Sequence, residues 1–156
     1  MDYMHSKYKT AIYVSQTLIA LLPIILGGLI YILWRPVDAV FFEWIKMLGF
    51  EEMLHWREHN FSEFSSYSPQ WIIYSLPDGL WAFSYTFIII RIWSGINSKI
   101  KFFWIATIPL FIIGLEVLQL TNLVRGTFSI PDLIVSVFGI LFGIFTASKI
   151  TKTERK

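Results

Sequence analysis

Asp78, Glu116 and Asp132 each fall inside a stretch of sequence that is otherwise almost wholly apolar. A carboxylate in such a setting is unfavourable unless it faces other polar groups, so these three acids are expected to meet. Acids gathered this way can accept hydroxyl or amine donors, orient a cation, or act as a general base when burial raises the pKa of one of them. Gln119 follows Glu116 by three residues and shares its helical face. Arg125 lies in the short polar segment between Glu116 and Asp132, and its guanidinium suits a forked contact with a phosphate or carboxylate. Asp78, Glu116, Gln119, Arg125 and Asp132 are therefore the candidate ligand-binding residues. No serine elbow or phosphate-binding loop accompanies them, and the absence of cysteine excludes thiolate chemistry.

A second constellation, His55-Trp56-Arg57-Glu58-His59, matches the H-x-x-E-H pattern of one zinc peptidase family. On a helix, His55 and His59 would share a face, Glu58 could act as a base, and a third ligand would have to come from Glu116 or Asp132. The families that use this pattern carry it inside large soluble domains. Solvated loop histidines are the expected reading, with no metal and no other cofactor.

The elements that must position these residues are membrane spans. Of 156 residues, 55% are hydrophobic and 15% charged, a balance that needs lipid as solvent. The basic residues form no stripe, so nucleic acid is not an expected partner. Ala11 to Trp34 is uncharged over 24 residues, enough at about 1.5 Å per residue to cross a hydrocarbon core of about 30 Å. Lys7 and Lys9 precede it as in a signal peptide, yet it ends on Tyr31, Leu33, Trp34 and Arg35, where cleavage requires small residues, and it is expected to be retained. Three more spans are predicted at Leu76 to Trp93, Phe102 to Leu120, and Ile130 to Ala147. Pro23 and Pro109 fall inside spans, where packed neighbours tolerate a kink. The fold class expected is an all-α, four-helix transmembrane bundle forming one membrane domain over residues 1–156.

Nine Lys and Arg residues flank one side of these spans and four the other, which places both termini in the cytoplasm of a cell membrane. The segment 36–70 then lies outside. Val37, Val40, Phe41, Trp44, Ile45 and Leu48 recur at helical spacing and predict an amphipathic helix at the outer interface, stopped by Gly49. A shorter helix is predicted around Glu51 to His59, and Ser62 to Pro69 reads as a polar turn. The pair is expected to form a lid over the bundle, the alternative being a partner-binding surface. In the last span, Asp132, Ser136, Gly139, Gly143 and Ala147 form one stripe of small residues headed by an acid. Gly139-x-x-x-Gly143 admits a close neighbour, either a helix of the same chain or a second protomer, and makes this span the expected centre of the bundle. Ser129 and Asp132 are placed to cap its N-terminus, with Pro131 in the first turn.

Taken together, Glu116-x-x-Gln119, Arg125, Asp132, Gly139-x-x-x-Gly143 and Leu76-Pro77-Asp78-Gly79-Leu80-Trp81 resemble the VanZ-like family of small bacterial membrane proteins. The resemblance covers Leu76 to Gly143, less than half the chain. That family often carries Asn where this chain has Ser136, and Lys-x-x-His where it has Gly79-Leu80-Trp81-Ala82, so this would be a divergent member. The family takes its name from a protein associated with resistance to the glycopeptide teicoplanin. The resemblance implies a cell-envelope role but no defined reaction.

Three functions compete. The acids and Arg125 could bind a lipid headgroup or envelope precursor; one carboxylate could serve as general base in an enzyme acting on an envelope lipid; or the cluster could only lock helices together. A transporter is disfavoured, because four spans with no internal repeat leave little room for alternating access.

Overall fold

The computed structural model describes residues 2–36, 40–96, 98–124 and 128–154, and among these the regular structure is entirely helical. The helices are α1 (Asp2–Trp34), α2 (Val40–Met47), α3 (Glu51–Tyr67), α4 (Gln70–Tyr74), α5 (Leu76–Ile92), α6 (Ile100–Leu120) and α7 (Ile130–Glu154). Three segments are long and apolar enough to cross a membrane: Ile12–Trp34, Ile100–Leu120 and Ile130–Glu154. The chain is thus all-α and multi-pass by its helices. At 17 residues, α5 falls just short of that length. Val37, Arg125 and the C-terminal Arg155 and Lys156 lie outside the described residues.

Contacts between named residues set the helix directions. Along α5 and α7, Ser75 meets Asp132, Gly79 meets Val135 and Gly139, Phe83 and Thr86 meet Gly143, and Arg91 meets Thr151. The residue numbers rise together, so the two helices are parallel. Along α1, Trp81 meets Gly27 and Ile24 while Arg91 meets Gln16, so α1 is antiparallel to α5. Tyr85 hydrogen-bonds Thr107 at 2.7 Å and Glu116 reaches Ser129, which makes α6 antiparallel to both α5 and α7.

The stripe on α7 faces inward within the same chain. Ser136, Gly143 and Ala147 are buried. A Cβ at Gly139 would overlap the Gly79 carbonyl, one at Gly79 would sit 2.8 Å from the Val135 carbonyl oxygen, and one at Gly143 would sit 2.8 Å from that of Phe83. Backbone therefore packs on backbone, the arrangement that small residues allow between membrane helices. The expectation that α7 is central needs correction, since α5 touches α1, α4, α6 and α7. Small residues at helical spacing are conspicuous on α7, but α5 too buries Pro77, Gly79, Ala82, Ser84 and Thr86 among its neighbours. Gly79 and Ala82, two of the departures from the VanZ-like pattern, occupy crowded positions on this helix.

Towards the end of the bundle where α5 finishes, Ala20, Phe87, Ile90 and Ala147 form the buried apolar core, flanked by Ile19, Ile88, Ile105, Ile144 and Ile150. α6 is attached differently. Glu116 is its one buried residue among those described, while Phe102, Phe103, Leu110, Phe111 and Leu120 face outward, as lipid contact requires.

The segment between α1 and α5 is more helical than its composition suggests. α2 ends at Gly49, whose φ of 84° opens a left-handed turn in which Phe50 N–H bonds the Ile45 carbonyl and Gly49 N–H bonds that of Lys46. α3 continues to Tyr67, well past His59, so the polar turn predicted from Ser62 is helix. No Gly or Pro interrupts this stretch. Phe61 and Phe64 instead pack their rings on Trp34, with centroids 6.2 and 4.4 Å away. The chain turns only at Ser68-Pro69. α3 packs on α1, while α4 reaches α1, α5 and α7. In α2 the buried anchor is Phe42, and Phe41, Trp44 and Leu48 of the predicted apolar face remain exposed. Phe42 stacks on Tyr31 and lies under the Arg57 guanidinium, contacts that a periodicity count does not register.

Candidate functional site

The helix directions carry the C-terminal ends of α1 and α6 and the N-terminal ends of α5 and α7 to one end of the bundle. Asp78 and Asp132 lie in the first turns of α5 and α7, where the exposed amides of a helix start favour negative charge. Glu116 lies in the last turns of α6 and is 7% exposed. Asp78 is within electrostatic reach of both Asp132 and Glu116, so the three acids converge from three helices.

Each acid is held differently. Ser129 Oγ accepts the Asp132 backbone N–H at 3.4 Å, which caps α7. The reciprocal bond of a capping box does not form, because Glu116 Oε2 accepts the Ser129 N–H at 3.0 Å. This ties the loop after α6 to the start of α7 and leaves the Asp132 carboxylate to accept the Ser75 hydroxyl at 2.5 Å. The predicted capping role thus divides: Ser129 performs it, and Asp132 reaches across to the start of α5. Asp78 is half-buried and faces an opposite charge on Arg35.

Arg35 is a described cation beside the acids that its place at the end of the first apolar run does not single out. It stacks over Tyr31 and Tyr74, with its guanidinium carbon 4.8 and 5.4 Å from the ring centroids. The signal that could have found it is the pair of aromatic residues, Tyr31 and Trp34, just before it. Arg125 lies outside the described residues. Gln119 is half-buried one turn beyond Glu116, and no bond joins its side chain to the three acids among the described residues.

His55 and His59 both sit on the exposed side of α3. Among the described residues no group of three or more acids or histidines is arranged to hold a metal, so neither Glu116 nor Asp132 joins them.

Beside the acids, between the end of α1, α3 and α4, lies an open cavity of about 290 Å³. Trp34, Arg57, Phe61, Gln70 and Tyr74 are among its lining residues, and the three acids are not. α4 links the two places: Tyr74 faces the cavity and the next residue, Ser75, holds Asp132. Arg57 is 7% exposed, and its Nη2 donates to the Arg35 carbonyl oxygen. Burial pulls its guanidinium below the ordinary arginine range while Glu58 opposes that shift; arginine nonetheless stays charged.

No family model, curated protein or solved structure matches the chain.

Proposed function

We propose that this chain is a divergent VanZ-like integral membrane protein that crosses the cell membrane four times and binds a lipid headgroup or envelope precursor at its outer face. α5 is the fourth span in this reading. α1 and α6 run in the same direction through the bundle and both are long enough to cross, so the chain must return between them, and α5 is the helix that runs back. Its 17 residues are extended by α4, from which only Ser75 separates it. The asymmetry of basic residues supports cytoplasmic termini and an outer position for α2 and α3.

The observation that carries the binding reading is the meeting of Asp78, Glu116 and Asp132 from three helices, with Arg35 beside Asp78. Two of these acids suffice to hold Ser75 and Ser129. The third adds negative charge that helix packing does not require, and it suits hydroxyl or amine donors of a polar headgroup. Binding is favoured over general-base chemistry because Glu116 and Asp132 already accept hydrogen bonds within the protein. A link to glycopeptide resistance would follow from capture of an envelope precursor.

The test is native mass spectrometry of gently solubilised protein, comparing wild type with Asp78→Asn. An adduct retained by wild type and lost from an equally stable variant supports the site and reveals its chemical class. Bare chains in both samples would leave the acids as helix mortar.

A further inference from the structure

The cavity beside the acids has the chemistry of an anion site. Arg57 Nε and Nη1 are buried and have no hydrogen-bond partner, and the same holds for Trp34 Nε1. A buried charged donor without a partner is strongly unfavourable unless something supplies the missing acceptor. The ion pair of Arg91 with Glu154 lies at the other end of the bundle. Nη2 commits one of its two hydrogens to the Arg35 carbonyl. Its second hydrogen forms a two-pronged fork with whichever neighbour it faces, Nε–H or Nη1–H, and such a fork matches two oxygens of a phosphate or carboxylate. Trp34, whose indole N–H is likewise buried and unpartnered, lines the same cavity.

We propose that this cavity binds an anionic oxygen group, a phosphate or carboxylate, on Arg57 and Trp34, with Phe61 and Tyr74 packing against the carbon skeleton of the molecule that carries it. The site is separate from the acid cluster and does not depend on the binding role assigned there. Glu58 also lines the cavity, is exposed, and opposes a bound anion. Its charge weakens the hold on any bound anion, and contact with Phe61 and Tyr74 offsets that loss for a molecule with an apolar part.

The experiment uses the full chain in neutral detergent, with retention read by native mass spectrometry after exposure to inorganic phosphate, phosphatidylcholine or phosphatidylglycerol. Wild type should retain an anion in preference to phosphatidylcholine. Retention of phosphate alone identifies a free-anion site, and retention of phosphatidylglycerol only identifies a headgroup site. Arg57→Gln should reduce retention about tenfold, and Trp34→Phe, which keeps the ring but removes its N–H, about threefold. Glu58→Gln should raise it about threefold by removing a like charge. Because Glu58 is exposed, this last variant decides the matter even if Arg57→Gln fails to fold. Equal retention in wild type, Glu58→Gln and Trp34→Phe, or no anion retained by wild type with either probe, would overturn the proposal.

Discussion

Arg91 and Arg57 sit at opposite ends of the same bundle and are treated in opposite ways. Arg91 donates to Thr151 at 2.9 Å, to Gln16 at 2.9 Å and to both oxygens of Glu154, leaving only its Nε without a partner. Gln16 completes the ring by donating to Glu154 at 2.5 Å, so α1, α5 and α7 are pinned together over the apolar core. Arg57, which lines an open cavity, makes one hydrogen bond, to a backbone carbonyl, and keeps two buried nitrogens without a partner. A network closed on itself stabilises a fold and offers little to a ligand. Donors and acids left open at the other end suit a role beyond folding.

The sharpest way to break the comparison is to pull both ends apart at once. Gly139→Leu places a side chain where the Gly79 carbonyl already lies and should destabilise the protein by about 3 kcal/mol. Thermal unfolding in detergent would then show the two ends failing together; retention of wild-type stability would mean that the α5–α7 crossing is looser than the backbone contact implies.

A smaller effect isolates the acid end. Ser75→Ala removes the hydroxyl held by Asp132 and should cost about 2 kcal/mol, the range for hydrogen bonds to charged groups. Unfolding measured alongside Asp132→Ala should give non-additive losses, since both variants break one bond. Additive losses would show that the two residues act independently.

At the other end, Arg91→Gln should lower stability by about 1 kcal/mol. That figure is discounted for solvent screening, because Glu154 is 32% exposed and Arg91 16%. The deficit should shrink in high salt, which a denaturation series at two ionic strengths would detect. The smallest change in stability, about 0.5 kcal/mol or less, is expected for Asp78→Asn, the acid that opposes a cation without anchoring a loop. A large loss there would move Asp78 from the ligand side of the comparison to the structural side.

Much of the helical framework was legible because membrane helices announce themselves locally. Apolar runs mark three crossing segments, and Gly49 ends α2 where expected. The convergence of Asp78, Glu116 and Asp132 was also readable, since each acid is conspicuous in an apolar run. α3 was misread beyond His59 because its polar residues resemble a turn, while its helicity rests on Phe61 and Phe64 meeting Trp34, a contact between residues distant in sequence. Asn122, at φ 57°, ends α6 with the same pair of bonds that closes α2, Leu123 N–H to Leu118 and Asn122 N–H to Gln119. An asparagine in that left-handed conformation is a less conspicuous stop than a glycine.

Sequence by itself determined the solvent, the helices and the unusual acids, because hydropathy and burial penalties act residue by residue. Tertiary structure alone decided that α5 is central, that Glu116 takes the Ser129 N–H and so releases Asp132 to Ser75, and that Arg57 is buried with donors to spare. Each of these outcomes depends on which partner reaches a polar group first, and that depends on distances between helices that no local pattern encodes.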